Sequence, residues 1–161
     1  MLDTNLDIRI AGTDEMTDVM DMAIAGAKEN AFLDASALLI AQTVYPALAQ
    51  DHGLCGVIGA PGALEGFIVL RIGTLYYSNQ PCVEEKILYV HPDYRSAKGG
   101  RARRLCEFSK KVADDLDLPL LIGICSSHRT QGKVKMYERI FGPPAGAYFL
   151  YKTKTGGHSV A

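Results

Sequence analysis

The sequence predicts a single α/β domain with a mixed, twisted central sheet of about six to seven strands flanked by about four helices. Three observations carry that prediction. The chain has 161 residues, 48% hydrophobic and 22% charged, which is enough for one ordinary core. Apolar spacing is helical between Met16 and Gln50 and changes to a period of two from Leu54 onward. Between Val83 and Cys125 an apolar run, an amphipathic segment and a second apolar run follow in order, the pattern of a right-handed parallel crossover.

Ile8 to Ala11 alternates briefly and reads as a first strand. Thr13 or Asp14 then offers a cap for a helix running to about Ala27, with Met16, Val19, Met20, Ala23, Ile24 and Ala27 at helical spacing. A second helix is expected over about Asp34 to Gln50, its stripe formed by Leu38, Ala41, Tyr45 and Leu48 and its end disturbed by Pro46. Leu54–Ala60 and Leu64–Leu75 read as a hairpin turning at Pro61-Gly62-Ala63. After the polar, aromatic Leu75–Pro81 loop, Val83 to Val90 is a third strand, stopped by His91-Pro92. The next helix turns Leu105, Phe108, Val112 and Leu116 inward. Leu120 to Cys125 is almost wholly apolar, as a strand covered on both faces requires. A last helix to about Phe141, with Val134, Tyr137, Ile140 and Phe141 inward, precedes a final strand over Ala147–Lys152. The domain is taken as 1–152, and the small polar tail 153–161 as disordered.

Bulk properties exclude several classes. A net charge of −1 gives no global attraction to nucleic acid or membrane, and no apolar run reaches membrane-spanning length. Cys55, Cys82, Cys106 and Cys125 are widely spaced, without zinc spacing or a disulfide framework. Reduced cysteines in a cytoplasmic protein without a secretory signal are therefore expected.

Charge is concentrated locally, between Arg95 and Lys111. The stretch Leu88–Leu105 passes from an apolar strand through His91-Pro92-Asp93 into Arg95, Lys98 and the pair Gly99-Gly100. A helix start with Arg101, Arg103 and Arg104 follows. Unobstructed backbone amides leading into a helix N-terminus suit a diphosphate.

These residues resemble the GNAT (Gcn5-related) N-acetyltransferase superfamily. Arg95-Ser96-Ala97-Lys98-Gly99-Gly100 is similar to that family's Gln/Arg-x-x-Gly-x-Gly/Ala loop, with Lys98 where the family has its first glycine. Val90-His91-Pro92-Asp93-Tyr94 matches the turn before the loop. Met136 to Gly142 is similar to the family's Tyr-Glu-Lys-Leu-Gly-Phe helix end, with Phe141-Gly142 in reversed order. The resemblance spans nearly the whole chain and implies acetyl transfer from acetyl-CoA to a primary amine, directly and without metal. The implied acceptor is a small-molecule or peptide amine; nucleic acid and membrane are not implied, and homodimers are common in the family.

The resemblance also assigns residues. Amides from Ser96, Ala97, Lys98, Gly99, Gly100 and Arg101 would cradle the pyrophosphate, with charge from Arg95 and Lys98. Main-chain groups of Leu88, Tyr89 and Val90 would hold the pantetheine arm and polarise the thioester, while Ser126 and Thr130 line its other side. A lysine-like acceptor has a reference pKa of about 10.4, so a base is needed near neutral pH. Glu84 stands at the family's glutamate spacing before Arg95, and the two-residue period puts it on a face with Leu88 and Val90. Glu85 or a water chain is the alternative base. Tyr137 would protonate the departing thiolate. A fold of this kind that holds CoA without turnover is the rival reading.

Overall fold

The computed structural model describes residues 8–30, 32–95, 99–127 and 129–152. Ser96, Ala97, Lys98, His128 and the tail 153–161 lie outside the described residues. In order come β1 (Ile8–Ile10), α1 (Met16–Asn30) after a 3₁₀ turn at Thr13–Glu15, and α2 (Ala37–Leu48). Then follow β2 (Gly53–Ala60), β3 (Ala63–Thr74) and β4 (Pro81–Val90). A 3₁₀ turn at Pro92–Tyr94 leads to α3 (Arg101–Leu116), β5 (Leu120–Leu121) and α4 (Thr130–Phe141).

The strands lie side by side in chain order, antiparallel except for the parallel pair β4–β5. Each face of the sheet buries its own core. On one face α1 and α2 cover Val57, Phe67, Val69 and Tyr89 with Val19, Val44 and Leu48. On the other, α3 packs Leu105 and Ala113 against Ile58, Ile68, Leu70, Val83 and Val90. The buried Glu15 carboxylate receives both Arg9 Nη atoms at 2.6 and 2.7 Å and joins β1 to the start of α1.

Four sequence expectations are corrected. Neither Thr13 nor Asp14 caps the first helix: the turn there is closed by backbone, Glu15 N donating to Gly12 O at 3.0 Å. On α2, Ser36 caps, and the buried stripe is Val44, Ala47 and Leu48, leaving Leu38 and Tyr45 exposed. That helix is apolar around most of its circumference, so periodicity alone does not select a face. β5 stops at Leu121 instead of reaching Cys125, and Ala147–Lys152 forms no strand. The sheet therefore has five strands among the described residues. Beyond Leu121 the chain makes no further ladder pair with β4 among the described residues.

Candidate active site

The departure of β5 from β4 creates the cleft on which the site is built. Their ladder consists of Val83↔Leu120 and Glu84↔Leu121 only. Beyond it β4 is paired on its β3 side alone among the described residues. Alternate main-chain groups of Ile87 to Val90 consequently face an open edge. Leu88, Tyr89 and Val90 lie on this stretch, as the sequence reading required for main-chain contacts.

A bulge in β4 overturns the expected placement of Glu84. Val69 pairs with Ile87 and Leu70 with Glu85, so Lys86 is an extra residue. Val83, Leu88 and Val90 belong to the same core although Val83 and Leu88 differ in parity, which only such an insertion allows. Glu84 therefore shares its face with α1 and α2, and Glu85 is the glutamate on the face of Leu88 and Val90. Glu84 Oε2 lies 3.6 Å from Lys86 Nζ.

On the α3 face the structure gathers three groups that sequence reasoning did not join. Glu85 Oε2 accepts from Gly123 N at 3.5 Å, standing in for the strand carbonyl that β4 no longer offers. Tyr137 hydrogen-bonds Cys106 of α3 and stacks edge-on with Phe141 at 5.7 Å. Burial pushes the Glu85 carboxyl up to about 7, against smaller opposing effects of Gly123 N–H and Lys86. Burial, then the neighbouring Cys106 and Glu85, also push the Tyr137 phenol well above its ordinary value. Burial raises the Cys106 thiol to about 12, so it is a neutral partner. At working pH the Tyr137 phenol is thus a proton donor.

At the far end of β4 sits the candidate anion cradle. Gly99 and Gly100 have φ of +116° and +53°, left-handed values that favour glycine. Gly100 is the N-cap of α3 and provides no side-chain acceptor, so the first-turn amides keep their donors. That turn holds no acid and three arginines, Arg101, Arg103 and Arg104, at the positive pole of the helix. Like charge at that pole is unfavourable, and a bound diphosphate would relieve it; the described half of the loop fits such a group. Arg101 also reaches Glu65 at 3.4 Å and lies over Tyr94.

Arg95 is more engaged than its motif position suggests. Its Nη atoms pair with Glu29 at 2.7 and 2.8 Å, its Nε donates to Val90 O at 2.8 Å, and it lies over the Tyr89 ring. Ser126 and Thr130 meet at the start of α4, where Thr130 Oγ1 donates to Ser126 O at 2.7 Å. Ser126 Oγ accepts from Lys133 Nζ at 2.6 Å. Glu29, Lys133 and Cys106 have no motif signature, and only the spatial arrangement brings them to the cleft.

The described residues form a central mixed sheet whose two parallel strands part beside a glycine-lined helix start. Known structures share this fold. An integron cassette protein from the mobile metagenome of Cole Harbour Salt Marsh superposes with a TM-score of 0.67 at 18% identity, covering 96% of this chain and 91% of that one. A possible acetyltransferase from Clostridium difficile 630 gives 0.68 at 17% identity, covering 91% and 95%. AAC(6′)-Iy, solved with the bisubstrate analog CoA-S-monomethyl-acetylneamine, gives 0.63 at 16% identity, covering 92% and 97%. No family model and no curated protein sequence matches the chain. The likeness is one of fold: this chain has the GNAT fold, with five strands in its sheet among the described residues.

Proposed function

We propose that the chain transfers the acetyl group of acetyl-CoA to a primary amine by direct attack. One observation carries the reading: at the point where β4 and β5 part, Glu84 and Tyr137 stand on opposite faces of the sheet. A direct displacement needs a proton acceptor on the side from which the amine arrives and a proton donor on the side from which sulfur leaves. Acetyl-CoA brings the activated thioester, and the parting of β4 and β5 gives its arm a path along the open main chain of Leu88, Tyr89 and Val90.

The residues then have separate tasks. Gly99, Gly100 and the first turn of α3 hold the pyrophosphate, completed by Ser96, Ala97 and Lys98. Ser126 and Thr130 border the cleft from the α4 side. Main-chain N–H groups of β4 polarise the carbonyl; one such donor is typically worth about 10²–10³ in rate. Glu84 takes the proton released as the N–C bond forms. Tyr137 gives its proton to sulfur as the C–S bond breaks, and is reprotonated through solvent. The net change is amine plus thioester to amide plus thiol.

Two variants test this. Glu84→Gln and Tyr137→Phe should each lower kcat by about 10²-fold or more while leaving the calorimetric affinity for CoA within a few-fold of wild type. Failure of acetyl-CoA and CoA at millimolar concentration to bind would overturn the reading. Binding without release of CoA to any amine, polyamine, aminoglycoside or peptide N-terminus would instead make the chain a CoA-binding module.

A further inference from the structure

On the α1/α2 face, α2 and the adjoining ends of β3 and β4 enclose a groove of about 620 Å³. Gln42 and Thr43 of α2 line it, as do Arg71 and Gly73 of β3 and Lys86 of β4. Arg71 and Glu84 are direct register partners across β3 and β4. They consequently share this face, with Cβ atoms roughly 5 Å apart. Opposite charges so placed ordinarily pair. Here Glu84 is engaged by Lys86 at 3.6 Å, and Arg71 meets no carboxylate at ion-pair distance among the described residues.

The guanidinium instead lies along its own strand. Its Nε is 3.6 Å from where a Cβ of Gly73 would stand, which places it beside that residue of the same strand. Asp51, the acid lining the groove, is held by His52 Nδ1 at 2.8 Å. An exposed cation with no ion-pair partner among the described residues therefore stands beside the candidate base, in a groove wide enough for a small molecule. A guanidinium presents a planar fork of donors that matches an oxyanion bidentately.

We propose that this groove receives the acceptor, and that the acceptor carries an oxyanion, a carboxylate or a phosphate, which Arg71 holds while the amine meets Glu84. The inference rests on the acetyl-transfer reading above. Because Arg71 and Glu84 are opposite each other, the oxyanion and the reacting nitrogen belong within a few bonds of one another. Amino acids and the 1-phosphates of 2-amino sugars satisfy this; long polyamines do not.

Matched pairs of acceptors test the proposal on the full chain with acetyl-CoA. Lysine is compared with cadaverine and glucosamine 1-phosphate with glucosamine, reading CoA release. The member bearing the oxyanion should exceed its partner in kcat/KM by about 10- to 100-fold in at least one pair, the worth of a charged hydrogen-bonded contact. Which pair shows the advantage separates carboxylate from phosphate. Arg71→Gln should bring that ratio to within about twofold of unity, and Arg71→Lys should restore part of it, with thermal melting unchanged. Equal use of both members of both pairs by wild type, or a ratio that survives Arg71→Gln, overturns the proposal while leaving acetyl transfer standing. No turnover of any amine overturns the transfer reading, and this inference with it.

Discussion

Glu85 shows how far one side chain's chemistry is set by its surroundings. Glu84 is its immediate neighbour in the chain, yet it is Glu85 that faces the α3 core, where burial raises its carboxyl to about 7. A carboxyl whose folded pKa exceeds its unfolded value binds more protons in the native state. Its contribution to stability is complete below about pH 4.5 and declines as pH rises through about 7. Urea midpoints of wild type should therefore fall between pH 5 and 8 (roughly the window of that shift), and Glu85→Gln should flatten the decline. An unchanged slope in the variant would show that another group titrates there. Glu84 and Glu85 were both visible in the sequence, but their faces were not. The period-two rule that assigned Glu84 to the side of Leu88 and Val90 fails across Lys86, because a bulge is invisible to alternation.

At the scale of elements, two kinds of glycine surround α3. Gly99 and Gly100 are needed for their backbone angles, and Gly99→Ala should weaken CoA binding about tenfold or more through a strained cradle. Calorimetric titration of CoA reads that loss. Gly56 is needed for space: a Cβ there would meet Phe108 Cε1 at 2.5 Å, where α3 sits down on β2. Gly56→Ala should cost about 1–3 kcal/mol in urea unfolding by forcing the ring or the helix to move. The Gly99-Gly100 pair was legible because a motif and an amphipathic helix follow one another in the chain. The role of Gly56 was not, since Phe108 lies far from it in sequence. α2 is a third case: its near-continuous apolar composition allowed two stripes, and only packing on the sheet chose Val44, Ala47 and Leu48.

Across the whole molecule, stability at low pH depends on how the first strand is tied to the first helix. Arg9 holds the Glu15 carboxyl below the usual carboxylate range, its hydrogen bonds outweighing the cost of burial. A depressed carboxyl contributes stability above its unfolded pKa, and that stability is lost as pH falls through the folded value. Glu15→Gln should cost about 2 kcal/mol at neutral pH, less than a fully buried pair because Arg9 stays partly solvated. The acid limb of the stability curve should be shallower in the variant, read by thermal melting between about pH 3 and 6.

By itself the sequence determined the class of fold, the order of its elements as far as α4 and the position of the glycine loop. Each of these depends on local spacing: period two against 3.6, proline and glycine stops, and positive charge gathered in one short stretch. The tertiary structure alone decided where β5 leaves β4, which glutamate faces which side, and that Glu85, Cys106 and Tyr137 meet. Among the described residues it also left Arg71 without a carboxylate partner opposite Glu84. These depend on register, bulge and contacts between residues distant in the chain, and so exist only once the sheet is assembled.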